Sequence, residues 1–170
     1  MVALLLAGCG AAAPGGAAGP SRSVPLAVVR LPLAPFSGVR LLLGTSLAAL
    51  VRQGLRPLPA SPGSLPAALP PAIPPHSLLA SFVIGPIAGC EMTRLLGATL
   101  TRRPAVLTLR LRTRTAPPGT ACPQFVLLPR PSLVALPLRL LPAGWLEVLL
   151  TRRAGSRTTV VAVRAIRLPG

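Results

Sequence analysis

One histidine, His76, two glutamates, Glu91 and Glu147, and three cysteines, Cys9, Cys90 and Cys122, are the groups from which acid–base, nucleophilic or metal chemistry would have to be built. Zinc takes four ligands at short spacings. No cysteine pair here has C-x-x-C spacing, and one histidine cannot complete the set. Paired-carboxylate catalysis needs two acids held together with separated pKa values, and nothing in the chain brings Glu91 to Glu147. A serine or cysteine nucleophile needs a positioned base. His76 beside Ser77 is the one candidate, and it lies in a proline-rich stretch that offers no rigid frame. The phosphate-cradling glycine motifs and the zinc-protease motif do not occur. The expectation is a protein that is not an enzyme, with no cofactor and no metal.

What the chain has in quantity is arginine. All 18 of its basic residues are Arg, against two acids, for a formal charge of +16. Arg22, Arg30, Arg40, Arg52 and Arg56 are the five before residue 91; the rest follow it. Such a balance attracts nucleic acid, anionic membrane and other polyanions. In 105–115, Leu107, Leu109 and Leu111 alternate with Thr108, Arg110, Arg112 and Arg114, the pattern of a half-buried strand with a cationic outer face. Arginines at this spacing either track phosphates or form a solvated face. Phe36, Phe82, Phe125 and Trp145 are the only aromatics, so there is little on which bases could stack. The reading is of a nonspecific polyanion or nucleic-acid binder.

Composition adds a further alternative. Charged residues make up 12% of the chain, against about 25% in ordinary globular chains. Lys, Asp, Asn and Tyr are absent, while Pro reaches 23 and Gly 16. GC-rich coding accounts for the loss of Lys, Asn and Tyr but not of Asp. The composition thus also fits the product of an antisense or shifted frame of a GC-rich gene, with no selected function.

Near the N-terminus, Leu6-Ala7-Gly8-Cys9 resembles the lipobox of bacterial lipoproteins. The resemblance implies that Cys9 carries a diacylglyceryl group, that a basic n-region lies ahead of Met1, and that the protein is exported and membrane-anchored. Two or more acyl chains anchor stably, at about 0.8 kcal/mol per buried CH₂. With Cys9 acylated, Cys90 and Cys122 remain, and an exported protein would be able to pair them as a disulfide. Three unrelated thiols are the alternative.

The elements read as follows. Residues 1–9 are a truncated signal-like segment. Residues 10–36 form a flexible Ala/Gly/Pro tether, in which 24–33 makes at best a short edge strand around Pro25 and Pro32. Residues 37–54 form a short helix, with Leu43, Leu47, Leu50 and Val51 on one stripe and Gly54 as its stop. Residues 55–76 are a proline-rich linker. A β-rich module fills 77–170: a buried strand at 78–84, the strand at 105–115, short runs at 125–128 and 133–140, and a hairpin of 145–151 with 158–168. The last strand loses its alternation near Arg164, where a bulge would restore the phase.

Leu141-Pro142-Ala143-Gly144-Trp145-Leu146 is similar to the opening of a strand in Ig-like β-sandwich domains of exported bacterial proteins, with Leu146 standing where those domains carry an aromatic. The fold class expected is mainly β, a small antiparallel sandwich-like module with one short helix and long Pro/Gly-rich irregular segments. A largely disordered chain is the alternative that the composition leaves open. The preferred functional expectation is a non-enzymatic, exported, lipid-anchored protein with a β-rich interaction module.

Overall fold

A computed structural model describes residues 19–29, 31, 33–34, 41–58, 73–83, 91–117, 119–121 and 131–170. Cys9, Cys90 and Cys122 lie outside these residues, as do the run at 125–128, Ile84 and most of the proline-rich stretch. The fold is mainly β. Its strands are β1 (Ser21–Val24), β2 (Ala27–Val29), β3 (Leu41–Gly44), β4 (Ser77–Phe82), β5 (Glu91–Arg102), β6 (Ala105–Thr115), β7 (Ser132–Pro137), β8 (Gly144–Ala154) and β9 (Arg157–Leu168). One helix, α1 (Leu47–Arg52), and a 3₁₀ turn at Leu138–Leu140 complete the described elements.

The strands make two sheets, one ordered β1-β5-β6-β8-β9 and one ordered β2-β7-β4-β3. Every pair is antiparallel except β6 with β8. The sheets pack face to face, because alternate residues of each are apolar and must leave water. Leu100, Leu107, Leu109, Leu111, Leu146, Val148 and Leu150 from the larger sheet meet Leu41, Leu43, Leu78, Phe82, Val134 and Leu136 from the smaller in one buried cluster. Burying one such side chain contributes about 1.5–3 kcal/mol.

The smaller sheet is covered on its other side as well. Leu42, Leu79, Leu133 and Ala135 pack there against Leu50 of α1 and against Leu33 and Leu55. β4 is therefore buried at all six positions, which explains why 78–84 reads as an uncharged, largely apolar run rather than an alternation. The outer face of the larger sheet has no such cover among the described residues.

Several expectations need correction. The helix does not fill 37–54. Leu41–Gly44 is a strand, and α1 begins only after Ser46, whose Oγ accepts from Ala49 N at 3.2 Å. Gly54 does end it, at φ 103°. The supposed stripe divides because Leu43 belongs to the core between the sheets, Leu50 and Leu47 to the cluster behind the smaller sheet. Val51 is exposed.

Nor is 10–36 wholly a tether. Residues 21–24 and 27–29 are edge strands, one in each sheet, and the chain passes from sheet to sheet at Pro25 and Leu26, where proline can donate nothing to a ladder. The β-rich module thus takes in strands well before residue 77.

The bulge in β9 is at Val161, between the pairs Leu150–Ala162 and Thr151–Val160. It leaves Arg164 on the same parity as Ile166 and Leu168. Arg164 stays there because β9 is an edge strand and its guanidinium has a partner, Gln53 Oε1 at 2.8 Å. Gln53 in turn donates to the Leu43 carbonyl at 2.6 Å and accepts from Leu43 N at 3.4 Å, so one amide joins the free edge of β3 to β9.

Other expectations stand. The strand at 105–115 is β6, with Leu107, Leu109 and Leu111 fully or nearly fully buried. The terminal hairpin is β8–β9. It closes through Gly155 and Ser156, with Gly155 at φ 59°, the conformation that glycine supplies at the first position of a two-residue turn.

Candidate polyanion-binding face

Arg110, Arg112 and Arg114 share one parity of β6, opposite to that of the buried leucines, and all three are exposed. Sheet pairing adds arginines from both neighbours. Arg94 of β5 is the direct partner of Arg112, and Arg112 is in register with Arg153 of β8. Three adjacent strands therefore put Arg94, Arg112 and Arg153 in one row across the outer face. Neighbouring strands lie about 4.8 Å apart, so the row spans roughly 10 Å with a charge on each strand.

The rows on either side extend it. Arg110 stands beside Gly97 and Thr151, and Arg114 beside Met92. Gly97, at φ 147°, follows a register shift at Leu96. It has no side chain to hold off the neighbouring strand: a Cβ there would sit 4.0 Å from Arg110 Nη2.

No acid balances this group. Glu147 shares the face, but it pairs with Val106 and Ala165, four positions from Thr151 along β8 and so about 13 Å from the Arg110 row. Glu91 pairs with Thr115. The partners of Glu91 and Glu147 are nine positions apart along β6, roughly 30 Å. The two carboxylates are thus not a pair. Like charges directly opposite one another destabilise a sheet, so the row holds a repulsion that a bound anion would relieve.

His76 and Ser77 are not a working pair either. His76 is exposed at φ 52°, where its carbonyl accepts from Leu138 N at 2.9 Å, while Ser77 is buried at the start of β4. No group of three His, Cys, Asp or Glu side chains among the described residues is placed to hold a metal ion. No helix among the described residues is long and apolar enough to cross a membrane.

Leu146, where the Ig-like domains carry an aromatic, is fully buried between the sheets, and Trp145 beside it is 69% exposed at the end of the face away from the arginine rows. Sequence reasoning found the arginines of β6. It missed Arg94 and Arg153, because their convergence depends on pairing between strands distant in sequence. No protein-family model, curated protein or solved structure matches the chain.

Proposed function

We propose that this chain is a non-enzymatic β-sandwich interaction module that meets polyanions on the outer face of its larger sheet. The observation that supports it is the row Arg94–Arg112–Arg153, flanked by Arg110 and Arg114, on a face whose one acid is well removed. Arginine suits this task, since its guanidinium stays charged and offers planar forks of donors to phosphate, sulfate or carboxylate. The rows contain no aromatic, so the contact is with charged groups rather than with stacked bases.

Duplex DNA of random sequence and heparin are suitable probes. Each arginine lost from the contact should lower the salt slope of DNA binding by about one. Arg112→Ser is expected to do so and to weaken binding equally across sequences, while Arg167→Ser, beside Trp145, changes it less. Equal losses for both variants would reduce the effect to net charge, and preference for one DNA sequence would overturn the reading. A cooperative urea transition in the same preparation distinguishes a selected fold from the product of an unselected frame.

The resemblance of Leu6-Ala7-Gly8-Cys9 to a lipobox supports a location for the same module. Cys9 precedes β1 by twelve residues, a reach of at most about 40 Å. Acylation there would hold the arginine-bearing sheet close to the bilayer surface on the exported side. The mass of the Cys9 peptide from a membrane fraction tests this, and an unmodified thiol on mature protein refutes it.

A further inference from the structure

β5 spans Glu91–Arg102, but β1 covers only part of it, from Ser21 opposite Thr101 to Val24 opposite Ala98. At Pro25 the chain leaves for the other sheet. Among the described residues, no strand pairs the flank of residues 91–97 that β1 vacates. Such an edge presents a row of backbone N–H and C=O groups, a template for a further strand.

The register shift at Leu96 interrupts this edge, but an apolar wall stands beside it. A groove of about 340 Å³ runs beside it, walled by Leu26, Val28, Leu95 and Leu96, with Arg110 among its lining residues. Val28 is 63% and Met92 79% exposed. Apolar wall, open backbone and guanidinium therefore occur together at one place.

We infer that residues 91–97 accept an extended acidic peptide from another protein as an added strand of the larger sheet. Successive side chains of a strand point to opposite faces. One set of the peptide's side chains would be apolar and enter the groove; the other would be acidic and face Arg94 and Arg110. Backbone hydrogen bonds give affinity in this mode, and the alternate side chains give selectivity. The charge of the chain selects the occupant. A second copy would bring +16 against +16, and with two acids in 170 residues the chain has no acidic segment of its own to supply. The inference concerns the edge, and it goes beyond binding of polyanions on the face.

Hydrogen exchange on the full chain tests it, with a synthetic peptide alternating valine and glutamate as probe. The amides of 91–97 that point away from β6 should exchange freely in the chain alone and slow with the peptide, while those already bonded to β6 and those of β8 are unchanged. Leu96→Ser removes an apolar wall of the groove without adding charge and should weaken the peptide by about tenfold or more, the scale of one apolar side chain's burial. The same variant should leave heparin binding nearly unaltered, which separates failure of the edge from failure of the face. Protection of the amides pointing away from β6 before peptide is added, equal protection by oligoglutamate, or self-association of the free chain would each overturn the inference.

Discussion

Replacing Arg112 with threonine should stabilise the fold at low salt and lose that advantage at high salt. Arg112 is the middle member of its row, with Arg94 on one side and Arg153 on the other. At the backbone spacing of about 5 Å, two unit charges in water repel by about 0.8 kcal/mol. Long side chains splay, and at about 8 Å the figure is nearer 0.5 kcal/mol per pair. Two pairs give about 1 kcal/mol. The Debye length is about 30 Å at 0.01 M salt and about 3 Å at 1 M, so most of that repulsion acts in the first condition and almost none in the second. Threonine also differs from arginine in strand preference, on a scale spanning about 1 kcal/mol, but that difference does not depend on salt. The informative quantity is therefore the variant's stability gain at 0.01 M minus its gain at 1 M, expected at roughly 0.5–1 kcal/mol. Urea is the right denaturant, because guanidinium is itself a salt. A gain equal at both salt concentrations would refute the argument, for it would mean that the row carries no charge repulsion for an anion to relieve.

Four other substitutions probe the packing. A Cβ on Gly44 would stand 2.9 Å from Ala49 Cβ and 3.4 Å from Ser46 O, so Gly44→Ala should cost about 1–3 kcal/mol in urea unfolding. Ser81 Oγ is buried without a hydrogen-bond partner; Ser81→Ala should be neutral or stabilising by about 1 kcal/mol, and a clear loss would reveal a partner for that hydroxyl. Gln53→Leu should cost about 1–3 kcal/mol, because it strips partners from both polar groups of Leu43 and from Arg164. Arg164→Met should cost less, and the reverse order would contradict the role given to Gln53.

Legibility in the sequence followed how local each constraint is. β6 was readable to its ends, because Leu107, Leu109 and Leu111 face one core and Arg110, Arg112 and Arg114 face water. The β8–β9 hairpin was readable because Gly155 marks a tight turn between two apolar strands. Residues 41–52 were misread because a strand and a helix there serve two different clusters, and a helical stripe of leucines cannot show that Leu43 and Leu50 lie on opposite sides of a sheet. Residues 21–29 were too short and too interrupted by Pro25 to show that they edge both sheets. Arg110, Arg112 and Arg114 of the arginine face were legible. Arg94 and Arg153 came from register, which local patterning does not contain.

The parallel seam between β6 and β8 has a kinetic consequence. β5–β6 and β8–β9 are hairpins joined by short turns, units that form in about 1–10 μs. Between them the chain must place β7 in the other sheet before β8 can lie beside β6. Pairings of such long separation close slowly, on the millisecond-to-second scale of all-β sandwiches. The rate should therefore be set where Leu107 comes beside Val148. In stopped-flow experiments Val148→Ala is expected to slow refolding more than it speeds unfolding, whereas a change at Ile166, on the outer strand of the second hairpin, should act mainly on unfolding. Until the seam closes, two preformed hairpins wait with their leucine faces in water, and it is over that interval that this chain is most open to association with others.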